Sequence, residues 1–125
     1  MTTPHFPLLE LPTYSSANGA LSVVDNMLPF TVQRVYWIHG ADGFVRGGHR
    51  HKLTRQALVA VRGVVTVHMD DGKHVEDVRL DSPDRCLLVE PKDWHTMHFG
   101  EGSVLLVLAS RSYELGDYID DPYPR

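Results

Sequence analysis

The sequence predicts an all-β fold, an antiparallel sandwich or barrel. Three observations carry that expectation. Apolar residues alternate with period two along most of the chain, turn residues interrupt the alternation every several positions, and no window sustains a helical period. The first strand is expected over 31–38, "TVQRVYWI", which is β-branched and aromatic and follows Pro29. "QALVAV" (56–61) ends at Arg62-Gly63, and "VVTVHM" (64–69) runs into Asp70-Asp71-Gly72, a strong turn signal. "HVEDVRL" (74–80) leads to Ser82-Pro83, "CLLVE" (86–90) stops at Pro91, and "WHTMHF" (94–99) stops at "GEG". "SVLLVLAS" (103–110) closes the series, and the best helical candidate is a short turn within "SYELGDYI" (112–119). Short strands joined by frequent turns imply antiparallel sheets.

The chain's 125 residues fit one domain, spanning 1–125, with enough length for a hydrophobic core. A formal net charge of −4 without a basic run argues against nucleic acid as a partner, although a few local arginines suffice for a diphosphate. The N-terminus "MTTPHFPLLELP" has no cationic n-region and its apolar run is broken, so no signal peptide is expected. No stretch reaches the length of a bilayer span, so no membrane partner is expected. Cys86 stands alone, which excludes an intrachain disulfide and a cysteine-rich zinc site and fits a reducing cytoplasm.

Chemistry concentrates in "GGHRHKLTRQ" (47–56). In a strand, residues i and i+2 face the same side, so His49 and His51 converge if this segment is extended. Gly47 and Gly48 before them allow a bend or a close backbone approach. Arg34 and Tyr36 share a face of 31–38 by the same parity, and a buried arginine needs an anionic partner, either a structural carboxylate or a ligand. His95 alternates with Met97 and Phe99, which suits a pocket wall or a core histidine, and His98 faces the other way. Trp37 and Trp94 read as packing residues, and His5, His39, His68, His74 and His98 are given no role.

The spacing Gly43, five residues, His49-Arg50-His51, four residues, Gln56, six residues, Gly63 resembles the first motif of the cupins. "PKDWH" (91–95) resembles their second motif with one residue fewer and Asp93 in place of a glycine. Metal-binding cupins place a carboxylate where this chain has Gln56, and a neutral amide is the weaker ligand. Wider stretches are similar to the nucleotide-sugar 3,4-ketoisomerases, small cupins acting on dTDP-4-keto-6-deoxyglucose. They are "PFTVQRVYWI" (29–38), "RGGHRHK" (46–52), "MDDG" (69–72), "LDSP" (80–83), "WHTMH" (94–98), "VLAS" (107–110) and "DYI" (117–119). The resemblance implies a jelly-roll subunit, a homodimer with exchanged N-terminal strands, no metal or other cofactor, and a role in unusual deoxysugar biosynthesis. Two departures stand out: Arg50 lies between the histidines where a small residue is usual, and "SANG" (16–19) replaces a charged turn.

Moving a ketone between neighbouring sugar carbons needs a base, an acid and a stabiliser for the enediolate, and histidine suits the proton steps near neutral pH. The resemblance makes His51 the base at C3, with His49 assisting transfer between oxygens or to C4. It places Tyr36 near the sugar, and Tyr36, the histidine pair and Arg46 are the candidate donors to the developing oxyanion. Arg46 suits the diphosphate, with Arg34 as a further candidate, and Lys52 either adds a point charge or lies solvated at a strand end. Gln56 is expected either to bond a sugar hydroxyl or to hold a histidine tautomer, and His95 to line the pocket. The competing expectations are a sugar-nucleotide epimerase, a metal-dependent cupin and a non-catalytic sugar-binding cupin.

Overall fold

The computed structural model describes residues 5–124. Two five-stranded antiparallel sheets face each other, as the alternation requires. The first has the order β1-β9-β6-β11-β4, from Leu8–Glu10 (β1), Arg85–Val89 (β9), Gln56–Arg62 (β6), Val104–Ala109 (β11) and Arg34–Ile38 (β4). The second has the order β12-β5-β10-β7-β8, from Tyr118–Ile119 (β12), Val45–His51 (β5), Trp94–Phe99 (β10), Val65–Asp70 (β7) and Val75–Leu80 (β8). Thr13–Ser16 (β2) and Gly19–Ser22 (β3) form a separate hairpin.

Alternation builds the main core between the sheets. Val65, Val67 and Met69 of β7 are fully buried while Thr66 and His68 are half-buried, and His95, Met97 and Phe99 of β10 point inward in step. Strand β6 breaks the pattern, with Gln56 to Ala60 all buried. The cause is a second apolar cluster on the outer face of its sheet, where Leu11, Val24, Met27, Leu28 and Phe30 cover Ala57, Val59 and Leu108.

Three elements differ from the sequence expectation. The strand expected over 31–38 begins at Arg34, because its one neighbour, β11, ends at Ala109 opposite that residue. Only Gln33 continues the pairing, through a bond from its N–H to the Ala109 carbonyl. The helical turn expected within 112–119 is a single 3-10 turn over Leu115–Asp117, followed at once by β12. Strands β1 to β3 were expected only as N-terminal strands implied by the resemblance, and alternation gave no bounds for them. The first is three residues long and the hairpin is exposed throughout, so neither presents a long amphipathic alternation. No helix among the described residues is long and apolar enough to cross a membrane.

Candidate active site

The segment 45–51 is extended, and His49 and His51 share the inward face of β5 with ring centroids 5.0 Å apart. Neighbouring strands bring further groups to the pair. His95 on β10 stands opposite His49 in register, with ring centroids 5.1 Å apart, and Tyr118 on β12 stands opposite His51. The Tyr118 ring lies 4.7 Å from both His49 and His51. Gly47 makes this approach possible. At φ +88° it occupies the left-handed region, and a Cβ there would come within 2.9 Å of the His95 carbonyl oxygen. The register between β5 and β10 shifts at that point, between His95 and Thr96.

His49, His95 and Tyr118 border a cavity of about 440 Å³, a size suited to a small-molecule ligand, while His51, 1% exposed, adjoins His49 and Tyr118 without forming part of its wall. Its walls include Arg34, Tyr36, Arg46, His49, Gln56, His95 and Tyr118, with Trp37 and His39 at the same opening. No carboxylate among the described residues lines it, and the charged groups in its walls are arginines, which suits an anionic ligand. Arg34 stacks over Tyr36 at 4.4 Å, confirming that the two share a face, and it makes no salt bridge among the described residues. Arg46 is exposed at the cavity wall. Lys52 is exposed and outside the cavity walls, and Arg50 turns away to lie 4.0 Å over the Tyr123 ring. Arg55 turns away as well, clamping Glu90 with bonds of 2.7 and 2.9 Å.

The polar groups are poised by burial. Gln56 is buried and donates from Nε2 to the Tyr36 hydroxyl at 3.1 Å. That oxygen is therefore already an acceptor, and the phenolic proton remains for donation. Burial raises the Tyr36 pKa, so the phenol stays protonated at neutral pH. Burial also lowers the pKa of His49, and it pulls His51 down to about 4, with His49 beside it adding to the effect. The nearby Asp117 carboxylate works in the opposite direction on His51. His95 is likewise lowered to about 4 by burial. All three imidazoles are thus neutral near pH 7. His95 Nδ1 lies 2.9 Å from the Asp93 carbonyl oxygen, which only accepts, so Nδ1 carries the proton and Nε2 is left with a lone pair.

A family model described as FdtA (WxcM-like, C-terminal) matches residues 4–124. The chain belongs to the FdtA family. The TDP-4-oxo-6-deoxy-alpha-D-glucose-3,4-oxoisomerase of Aneurinibacillus thermoaerophilus is 44% identical to this FdtA-family chain over 107 residues, covering 83% of it and 77% of the relative. A solved structure of a histidine-to-asparagine mutant of the 3,4-ketoisomerase QdtA from Thermoanaerobacterium thermosaccharolyticum, in complex with TDP-4-keto-6-deoxyglucose, superposes with a TM-score of 0.90. It is 31% identical, and the match covers 96% of this chain and 90% of that one. The WlaRB TDP-quinovose 3,4-ketoisomerase of Campylobacter jejuni gives a TM-score of 0.89 at 33% identity, covering 95% of each chain.

Of the residues singled out from sequence, the fold of this FdtA-family chain brings Arg34, Tyr36, Arg46, His49, Gln56 and His95 together around the cavity, sets buried His51 against His49 just outside its wall, and leaves exposed Lys52 away from it. Sequence reasoning missed Tyr118 and the residue before it. Asp117 is buried and accepts hydrogen bonds from the Leu53 N–H at 2.8 Å, the Thr54 N–H at 3.3 Å and the Thr54 hydroxyl. Burial works against its charge, but these bonds and nearby His51 prevail and hold its pKa low. It anchors β12, and so Tyr118, beside the end of β5. The segment "DYI" (117–119) carried that signal only as part of the family resemblance. Trp37, expected to pack, is 60% exposed at the cavity opening.

Proposed function

We propose that the chain is a sugar-nucleotide 3,4-ketoisomerase that converts dTDP-4-keto-6-deoxyglucose to a dTDP-3-keto-6-deoxyhexose. One observation carries the reading. Neutral His49 and His95 and a Gln56-supported Tyr36 border a cavity whose charged walls, among the described residues, are the arginines Arg34 and Arg46, with neutral His51 against His49. The relatives' activities point the same way.

His51 takes the proton from C3 of the sugar while Tyr36 donates to the C4 carbonyl oxygen, giving a 3,4-enediol. The C3 hydroxyl then gives up its proton and C4 gains one, leaving a ketone at C3 and a hydroxyl at C4. His49 serves the transfers between the oxygens and to C4. Atoms and electrons stay within the sugar, so the isomerisation balances without a redox partner. The Asp117 carboxylate favours the imidazolium that His51 becomes. Arg46, with Arg34, holds the diphosphate, and His95 presents its Nε2 lone pair to a sugar hydroxyl.

The proposal extends to assembly and setting. The β2–β3 hairpin pairs only with itself, and Tyr14 and Leu21 on it are 68% and 59% exposed. These features support a homodimer in which the hairpin lies on the partner, and the relatives' activities support deoxysugar biosynthesis, with the cytoplasm as the proposed compartment.

The test is to incubate native protein and His51→Asn with dTDP-4-keto-6-deoxyglucose and identify the products by proton NMR. The expected result is a 3-keto sugar from the native protein and none from the variant, with TDP binding equal in both. A product that keeps its C4 ketone and is inverted at C3 or C5 would mean an epimerase instead. Binding without turnover by the native protein would mean a binding module.

A further inference from the structure

A second cluster lies apart from the catalytic cavity, where the β7–β8 turn meets the residues before β1. We propose that His5, Asp71 and His74 form a binding site for one divalent transition-metal ion of the zinc class, fastening the N-terminal segment to that turn. Both histidines were left without a role by the sequence.

The geometry points to a ligand shared by three donors. His5 Nε2 lies 2.7 Å from Asp71 Oδ2, and His74 Nδ1 lies 3.4 Å from the same oxygen. The three candidate ligand atoms all fall within 4.8 Å of one another. The carboxylate is already oriented, because its other oxygen, Oδ1, accepts from the backbone N–H groups of Lys73 at 2.9 Å and His74 at 2.7 Å.

The two imidazoles stack, with centroids 3.7 Å apart and planes 18° from parallel. One Asp–His hydrogen bond accounts for a single ring. A second ring is stacked on the first with its Nδ1 directed at the same oxygen, so both nitrogens converge on one carboxylate oxygen. A dication satisfies both lone pairs and the carboxylate at once.

Two imidazoles and one carboxylate select a borderline ion such as Zn²⁺ or Co²⁺ over Ca²⁺ or Mg²⁺, which prefer oxygen-only shells. Tetrahedral coordination separates ligand atoms by about 3.3 Å, with water as the fourth ligand. The 2.7 Å contact must open slightly and the widest separation must close, and both rings are exposed rather than held in the core.

The experiment is calorimetric titration of untagged, metal-stripped protein with Zn²⁺, alongside His5→Gln, His74→Gln and, as a control for the catalytic histidines, His49→Asn. Asp71 is left intact because it caps the turn. The expected result is one ion per chain, weakened about tenfold or more by either cluster variant and unchanged by the control. Co²⁺ should give the intense visible absorption of a four-coordinate site in native protein and lose it in both cluster variants, with circular dichroism unchanged. Failure to bind, equal binding in native and cluster variants, or loss in the His49 variant alone would each overturn the proposal.

Discussion

Acidification should cost this protein stability through His95, by an amount the structure sets. The ring is 1% exposed and burial holds its pKa at about 4, against 6.5 for the unperturbed group. The unfolded chain takes up this proton near pH 6.5 and the folded chain only near 4. The stabilisation is therefore complete above pH 6.5 and is lost as pH falls through that window. The whole span corresponds to about 3 kcal/mol, of which about 2 kcal/mol is lost by pH 5. Other groups titrate in the same range. His51 shifts the same way, while Asp93, raised to about 6 by burial, gains stability as pH falls below 6 and opposes them. Comparison with His95→Gln removes these common contributions to first order. Urea unfolding followed by tryptophan fluorescence at pH 7.5 and pH 5, at fixed protein concentration, should show the native protein losing about 2 kcal/mol more than the variant. Equal losses in the two proteins would refute the claim that a neutral, buried His95 is built into the fold.

Other expected outcomes follow from single contacts. Tyr36→Phe removes the hydroxyl proposed to donate to the substrate and, with it, the acceptor of the buried Gln56 amide. It should lower kcat about a hundredfold in steady-state assays and cost about 1–3 kcal/mol in urea unfolding. Arg46→Ala should raise KM at least tenfold, or about 1.5–3 kcal/mol of charge-assisted bonding, with kcat changed less. Lys52→Ala, outside the cavity walls, should leave both constants unchanged. Asp117→Asn loosens the anchor formed with Leu53 and Thr54, and should cost about 1–3 kcal/mol while increasing hydrogen exchange at the Tyr118 amide.

The fold was legible where alternation and turns agree, as in β7, whose buried Val65, Val67 and Met69 match the pattern in "VVTVHM". Strand β5 was legible only conditionally, because Val45–His51 is glycine-rich and polar and is held extended by β10 and β12 rather than by its own propensity. Parity alone paired His49 with His51 and Arg34 with Tyr36, since those relations lie within single strands. Contacts between distant segments were not readable in the same way. Gln56 was a candidate with two possible roles, and only the sheet order β6-β11-β4, with β11 between the other two, set its amide on Tyr36. Tyr118 and Asp117 reach the site through the pairing of β12 with β5, a two-residue strand that no periodicity announces. His5 and His74 meet by the same kind of long-range approach.

The central claim is that the histidine pair moves the C3 proton of a keto sugar. It is tested most directly by running metal-stripped protein with dTDP-4-keto-6-deoxyglucose in deuterated water and reading the C3 and C4 positions by NMR. The account predicts loss of the C3 hydrogen and a 3-keto product from the native protein, with both absent in His51→Asn. Turnover that returns only when a divalent ion is added, or that persists undiminished in His51→Asn, would contradict it.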